Sequence, residues 1–295
     1  MSVYDVSGNR IGSVYDSTGQ VTHNVYDSDG NKIEMSIDYT NYTIGAYCSL
    51  SLSNMQGFAI YDGTIFQVRT PSGGGVLCTV NAQSQSIITN NISATVDHGD
   101  SVSFSNEVNE GESYPLLYVT ADSNPAKVYI NRVTLSSSAL VKTLSFPLDK
   151  TGYYAAHAYD AVNKIMYMVG YSEMDYLTDD GGNNKTVISK WDMENLTDNG
   201  DGTFTPQYLA AVERAFIYCM QGQQYQDQMI WIASGYVGSV NSYVYAINPT
   251  SGEVLYTVDL NTTTEVEGVS FISDTEMIVG LAGGTYKKVT FASAS

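Results

Sequence analysis

Short hydrophobic runs separated by turn signals fill the chain from about residue 36 to its end. Each run alternates apolar and polar side chains over four to seven residues, as in TIFQV (64–68) and YVYAIN (243–248). A period of two is typical of strands that bury one face, and no segment shows the 3.6-residue period of an amphipathic helix. The sequence therefore predicts an all-β chain with no helix of any length.

Some of these runs begin in a similar way, with a polar residue followed by a small one. Gln56 and Gln221 each precede Gly, and each stands nine residues before the Ile of a hydrophobic strand. His98, His157 and Glu267 also precede a hydrophobic strand, but with a less exact match to this pattern. The five residues are separated by 42, 59, 64 and 46 positions. Each interval has room for about four short strands, which is one blade of a β-propeller.

Five such starts predict five blades, with four or six blades as the alternatives. The last blade, from Glu267, has only about two strands left before Ser295. We expect strands from ahead of the first start, within CSLSLSN (48–54), to complete this blade. Such closure would remove the exposed sheet edges that otherwise promote aggregation.

The innermost strand of each propeller blade lines the central channel. Gln56, His98, His157, Gln221 and Glu267 would then form a polar ring at one mouth of the channel, which we call the predicted ring. Each is followed by Gly or Ala, which lets the inner backbones approach closely near the axis. We predict that the ring binds a ligand; the alternative is that its side chains only satisfy one another and trapped water.

Catalysis by this ring would require suitably placed carboxylates. Glycosidases use two or three of them at set distances, and Glu267 is the best-placed candidate, with Asp100 and Asp160 as companions. Glu213 and Glu265 lie near strand ends and have less certain directions. This set is a weak constellation, and we assign no catalytic residue.

A metal site built from His98, His157 and Glu267 is chemically sensible. Isolated histidines in β proteins nevertheless serve structure more often than metal binding. The sequence contains no Gly-x-Ser-x-Gly elbow, no phosphate-binding loop and no His-Glu-x-x-His motif. We therefore assign no metal and no cofactor, and the residues favour a binding protein over an enzyme.

The net charge argues against nucleic acid and anionic membranes as partners, and the cysteines argue against disulfide bonds and a zinc site. The formal net charge is −18, so the chain should repel phosphate backbones and anionic lipid surfaces. Cys48, Cys78 and Cys219 fit neither a disulfide framework nor a zinc pattern, and we expect buried free thiols. The first residues lack a basic and an apolar region, so we expect synthesis in a cytoplasm without a signal peptide.

An eleven-residue repeat opens the chain in three copies, at 3–13, 14–24 and 25–35. Each copy begins Val-Tyr-Asp and carries Gly at a fixed offset, followed three residues later by a β-branched residue. This order predicts a short strand, a tight turn and a returning strand. Asp27 to Asn31 resembles part of a calcium loop, but the places that need Gly and Glu hold Lys32 and Asp38.

Such small hairpin-like units have little core of their own and need neighbours to stack on. We therefore divide the chain into an attachment or oligomerisation segment, 1–35, and a propeller, 36–295.

Tyrosines are abundant near the predicted strand ends. Rings at such positions suit sugar faces or protein contacts, and packing between blades is the equally weighted alternative. The residues concerned are Tyr153, Tyr154, Tyr159, Tyr171, Tyr176, Tyr225 and Tyr236.

Repeats of the form VYD-x-x-G-N-x-I at an extreme N-terminus resemble the leading segments of tail-associated proteins of phages and prophages from gut bacteria. The first and third copies match this form, and the second departs from it at Gln20 and Thr22. The starts Gln56-Gly57, His157 to Asp160 and Glu267-Gly268 are similar to propeller domains of such proteins; His98-Gly99-Asp100 departs from the His-x-x-Asp spacing.

The resemblance implies a virion protein of the phage tail, a tail fibre or receptor-binding component made in the host cytoplasm. Residues 1–35 would dock onto other tail proteins, and the propeller would bind a host surface glycan or protein. Tail parts are usually symmetric, so we expect a homo-oligomer, with a trimer favoured. A glycan-cleaving propeller enzyme and a free carbohydrate-binding lectin are the alternatives.

Overall fold

A computed structural model describes residues 37–71, 74–121, 123–236, 238 and 241–293, together with four short strands nearer the N-terminus. Strands dominate it. The helical elements of the described residues are a four-residue turn, α1 (Leu148–Thr151), and a 3-10 turn (Asp180–Gly182). The prediction of an all-β chain is therefore confirmed, apart from these two turns. Among the described residues, no helix is long and apolar enough to cross a membrane.

The N-terminal strands form two separate antiparallel pairs. β1 (Val14–Tyr15) pairs with β2 (Val21–Thr22), and β3 (Val25–Tyr26) pairs with β4 (Lys32–Ile33). Each pair lies within one copy of the eleven-residue repeat, so the second and third copies have the expected strand–turn–strand order. The first copy and the calcium-like run 27–31 lie outside the described residues.

The remaining strands of the described chain fall into five antiparallel groups of four, numbered here in chain order. The first strand that follows the repeats is β5 (Ile37–Ser49). Group one contains β6 (Met55–Tyr61), β7 (Thr64–Arg69), β8 (Val76–Asn81) and β9 (Ser86–Ser93). Group two contains β10 (Val102–Phe104), β11 (Leu117–Ala121), β12 (Lys127–Val133) and β13 (Ser138–Ser145). Group three contains β14 (Tyr153–Asp160), β15 (Ile165–Tyr171), β16 (Lys185–Asp198) and β17 (Thr203–Ala215).

The last two groups follow the same plan. Group four contains β18 (Met220–Gln226), β19 (Met229–Ser234), β20 (Tyr243–Ile247) and β21 (Val254–Asp259). Group five contains β22 (Val266–Ser273), β23 (Glu276–Leu281), β24 (Thr285–Ser293) and β5. Groups two and three are joined into one eight-stranded sheet by a short parallel pairing of β13 with β17.

Strand β5 completes group five although it precedes group one in the chain. It pairs antiparallel with β24 from Ile37 opposite Ser293 to Ser49 opposite Thr285. A strand from ahead of the first start thus closes the last sheet, as expected. It begins well before the predicted 48–54 segment and shares only Cys48 and Ser49 with it. This pairing joins the two ends of the range 37–293.

Five hydrophobic clusters fill the spaces between successive groups. Phe66 and Val119 belong to the cluster between groups one and two, and Tyr39 and Trp231 belong to the one between groups four and five. Two further clusters lie between groups two and three and between groups three and four. The fifth cluster joins Phe58 of group one to Tyr286 of group five, so the sequence of cores runs in a circle.

The first strands of the groups contact one another where these cores converge. β6 contacts β10 and β22, and β18 contacts β14 and β22. Small residues make this approach possible: a Cβ atom added to Gly57 would lie 2.3 Å from the carbonyl oxygen of Asp100. A Cβ atom added to Gly222 would lie 2.7 Å from the Cα atom of Gly268. Gly57 and Gly222 therefore allow the close approach of backbones that the sequence predicted for the small residue after each strand start.

Replacing Gly57 by Ala should destabilise the protein by about 1–3 kcal/mol, because the added methyl group overlaps two backbone carbonyl groups. Urea denaturation measures the change. Gly45→Ala, on β5, is the matched control, since nothing lies within 4 Å of its added Cβ atom. Equal stability of the two variants would contradict close packing at the axis.

Candidate functional site

Irregular pairing at the start of the first strands directs a set of polar side chains away from the sheets. The register of β6 shifts between Met55 and Phe58, and that of β18 shifts between Met220 and Gln223. β14 and β22 show similar shifts near their first residues. Such bulges re-aim side chains, and here they leave Gln56, Gln221 and Glu267 on the wall of one cavity.

This cavity has a volume of about 440 Å³, and all five groups contribute to it. We call it the axial cavity. Polar and titratable groups make up most of its wall, together with four tyrosines. Its lining residues are Gln56, His98, Asp100, Tyr154, Ala156, Tyr171, Tyr176, Cys219, Met220, Gln221, Tyr236, Glu265 and Glu267.

Four residues of the predicted ring meet in the axial cavity, namely Gln56, His98, Gln221 and Glu267. His157 does not. Its side chain is fully buried in β14, where its two ring nitrogens lie 2.7 Å from Ser103 Oγ and 2.6 Å from Thr120 Oγ1. Burial lowers the pKa of His157 to about 3, so the ring is neutral and satisfied within the protein.

Asp100 and Tyr154 occupy the positions that the sequence assigned to His98 and His157. Gln56, Asp100, Tyr154 and Gln221 each stand two residues before the first strand resumes regular pairing. Asp100 is followed by Ser101 and Tyr154 by Ala155, so the rule of a small following residue identifies them once the register is known. Tyr154 has a φ of +50°, a conformation that is uncommon outside glycine and often occurs at functional sites.

Gln67, on the second strand of group one, supports the bulge in β6. Its Nε2 atom lies 2.6 Å from the carbonyl oxygen of Gln56 and 3.2 Å from that of Gly57. Its Oε1 atom accepts a hydrogen bond from the hydroxyl group of Tyr286. Gln67 is completely buried, and it satisfies carbonyl groups that the interrupted ladder leaves without strand partners. The sequence pattern did not single out this residue.

Glu267 is the most deeply buried carboxyl group of the axial cavity, with 7% of its surface exposed. Burial raises its pKa to about 8, and the neighbouring Glu265 and Asp100 carboxylates add to the shift, while His98 opposes it. Burial also raises the pKa of Glu265. The cavity therefore holds a carboxyl group that is protonated at neutral pH.

Two pairs of polar side chains on the wall are in contact with each other. His98 Nδ1 lies 2.6 Å from Asp100 Oδ1, and Gln221 donates a hydrogen bond of 3.2 Å to Glu265 Oε1. No group of three or more His, Cys, Asp or Glu side chains among the described residues is arranged to hold a metal ion. The metal set His98, His157 and Glu267 is not assembled, because His157 faces another part of the interior.

Tyrosines form the apolar part of the wall. The Tyr154 and Tyr176 rings meet edge to face with their centres 5.3 Å apart, and Tyr171 accepts a hydrogen bond from the backbone N–H of Met220. Tyr236 is 38% exposed. Of the other tyrosines singled out from the sequence, Tyr159 packs against Tyr118, and Tyr225 lines a second cavity beside Asp227.

The three cysteines are buried and free, as predicted. Burial raises the pKa of Cys48 and of Cys78 to about 11 and that of Cys219 to about 12. Cys219 lines the axial cavity, but its thiol is protonated and a poor nucleophile at neutral pH.

No family model matches the chain, and no curated protein matches it in sequence. Among solved structures, the chain is similar to the glutaminyl cyclase of Myxococcus xanthus, with a TM-score of 0.55 and 12% identity over 86% of this chain and 97% of that one. At this identity the likeness extends to the fold alone.

Two further structures share less. A luciferin-regenerating enzyme has a TM-score of 0.45 at 12% identity, over 86% of this chain and 98% of that one. Hydrazine synthase of Kuenenia stuttgartiensis has a TM-score of 0.42 at 13% identity, over 85% of this chain and 66% of that one. Neither carries an argument on function.

Replacing Glu267 by Gln should make the protein less sensitive to rising pH. The pKa of Glu267 is about 8 in the folded protein against 4.5 for an ordinary Glu, so between these values the folded state holds a proton that the unfolded state has lost. The free energy of unfolding then falls as pH rises, by up to about 1.4 kcal/mol per pH unit. Urea denaturation between about pH 6.5 and about pH 8 measures this slope, above the range in which His157 contributes.

Glu110→Gln is the control for this measurement, because Glu110 is exposed and does not line the axial cavity. It should keep the slope of the wild-type protein. A Glu267→Gln variant with the wild-type slope would show that Glu267 is ionised in the folded state.

Proposed function

We propose that the five groups are the blades of a five-bladed β-propeller, with β6, β10, β14, β18 and β22 as the innermost strands. Three observations support this assignment. The groups are four-stranded and antiparallel, the hydrophobic cores follow one another in a circle, and β5 completes the last group from the opposite end of the chain. Closure of this kind protects sheet edges and makes a rigid platform.

We infer that the axial cavity binds a carbohydrate of a host cell surface. The observation that carries this inference is the composition of its wall, which combines four tyrosines with amide and carboxyl groups. Tyrosine faces pack on the apolar faces of sugar rings, and amides and carboxyl groups hydrogen-bond the hydroxyl groups at the ring edges. A cavity of about 440 Å³ is of the size that accommodates a small ligand.

We further propose that the protein belongs to a phage tail, as a fibre or receptor-binding component. The eleven-residue repeats support this role, since their second and third copies form small hairpins that need neighbours. Residues 1–35 would bind other tail proteins and bring copies of the chain together as a trimer. The net charge of −18 disfavours nucleic acid and anionic membranes as partners.

Replacing Tyr236 by Ala should weaken carbohydrate binding about three- to tenfold, because one aromatic contact contributes about 0.5–1.5 kcal/mol. A glycan array identifies the ligand, and titration of that ligand measures the loss. Tyr208→Ala is the matched control, since Tyr208 is 39% exposed against 38% for Tyr236 but lies on β17, away from the cavity wall. Equal weakening by both substitutions would contradict binding in the axial cavity.

Removing residues 1–35 should abolish incorporation into particles and leave carbohydrate binding intact, because the two functions reside in separate segments. Sedimentation measures the oligomeric state of the full-length and shortened chains, and mass spectrometry of purified particles measures incorporation. Full-length protein produced in the same way is the control. Shortened protein present in particles at the full-length level would contradict docking through the repeats.

A further inference from the structure

Three carboxyl groups, Asp100, Glu265 and Glu267, lie on the wall of the axial cavity. Among the described residues that line it there is no Lys or Arg, and His98 is the single side chain that can become positive. His98 is already engaged with Asp100 at 2.6 Å. The wall therefore carries more acidic groups than basic ones.

Glu267 differs from the other two carboxyl groups in having no partner. Asp100 is paired with His98, and Glu265 accepts a hydrogen bond from Gln221. No described residue forms a hydrogen bond or an ion pair with the Glu267 carboxyl group, although 93% of the residue is buried, as its 7% exposure shows. Buried polar groups in folded proteins are nearly always hydrogen-bonded. Glu267 is not among the described residues whose side-chain atoms are enclosed without a partner, so its carboxyl oxygens reach the cavity, where a donor from a ligand can bind them.

A compact cation is the hydrogen-bond donor that best suits the Glu267 carboxyl group. A positive donor would form a charge-assisted hydrogen bond with Glu267 and offset the repulsion from Asp100 and Glu265. The described residues form no cluster of three ligands for a metal ion. An ammonium group, with three N–H donors, fits a carboxylate without a described partner, and the Tyr154 and Tyr176 rings on the same wall can add cation–π contacts.

We propose that the axial cavity binds the protonated primary amine of an amino sugar, with Glu267 as its direct ion-pair partner. This inference rests on the proposed carbohydrate binding and adds the chemical class of the sugar. Glu265 and Asp100 contribute to the negative potential, and the tyrosines hold the sugar ring.

Binding of an ammonium group should be linked to release of a proton. Free Glu267 is protonated at neutral pH, since burial holds its pKa at about 8, and the ion pair requires its ionised form. Affinity should therefore rise with pH. The other charged groups that face Glu267 are His98, Asp100 and Glu265, and loss of a proton from any of them changes affinity in the same direction. The phenols and the Cys219 thiol of the wall carry no positive charge in any state.

The experiment compares glucosamine, glucose, N-acetylglucosamine and cyclohexylamine by calorimetric titration of the full chain. We expect glucosamine to bind at least about tenfold more tightly than glucose or N-acetylglucosamine, with an affinity that rises up to about tenfold per pH unit between about pH 5.5 and about pH 7.5. Titration in buffers of different ionisation enthalpy measures the released proton. Glu267→Gln should remove the preference and most of the pH dependence, and Glu110→Gln should keep both.

The other outcomes distinguish failure of the amine site from failure of carbohydrate binding. Binding of cyclohexylamine with the same pH dependence, but of no sugar, would support the amine site and overturn carbohydrate binding. Equal affinities for glucosamine, glucose and N-acetylglucosamine would overturn the amine site and leave carbohydrate binding in place. Absence of binding by all four compounds overturns both. Thermal unfolding of Glu267→Gln verifies that a loss of binding does not reflect loss of the fold.

Discussion

Close approach of the first strands at the axis is the constraint on which both the fold and the candidate site depend. Gly57, Gly222 and Gly268 bring backbones within van der Waals distance, and a Cβ atom added to Gly57 or Gly222 would overlap a neighbouring carbonyl oxygen or Cα atom. The bulges next to these glycines turn Gln56, Gln221 and Glu267 out of the sheets. The same local irregularity therefore packs the axis and supplies the cavity wall, so that selection for one property constrains the other.

The protein buries two titratable groups near the axis in opposite ways. His157 is kept neutral, with its pKa lowered to about 3, and both ring nitrogens have hydroxyl partners in Ser103 and Thr120. Glu267 is also neutral at neutral pH, because burial raises its pKa to about 8. The first arrangement satisfies the buried ring within the protein, whereas the second places a carboxyl group on a cavity wall. A group on a cavity wall can interact with a ligand, and the imidazole of His157 cannot.

Sequence patterns located the strands and four of the five residues of the predicted ring on the cavity wall, but they missed Asp100 and Tyr154. In group two, Gly99 contacts the first strand of group one, since its carbonyl oxygen accepts a hydrogen bond from the N–H of Gly57, but its φ of +75° places it in a turn ahead of β10. In group three, Ala158 belongs to the core between groups three and four, and Ala156 is the alanine that lines the axial cavity. Small residues serve several purposes in β structure, so their identity alone does not fix the register. The sequence pattern could not identify Gln67, because this residue acts by binding carbonyl groups of a different strand, β6.

Because the wall of the axial cavity is drawn from the whole described chain, a ligand there would contact groups that are distant in sequence. Gln56 comes from group one, Asp100 from the loop that leads into group two, Tyr154 from group three, Gln221 from group four and Glu267 from group five. A ligand that binds the folded state alone stabilises it by mass action, and here that stabilisation would extend across all contacts between neighbouring groups. The pairing of β5 with β24 adds a strand from the start of the range 37–293 to group five, the group that also carries Glu267. A ligand bound to Glu267 would therefore contact the sheet that joins the two ends of this range.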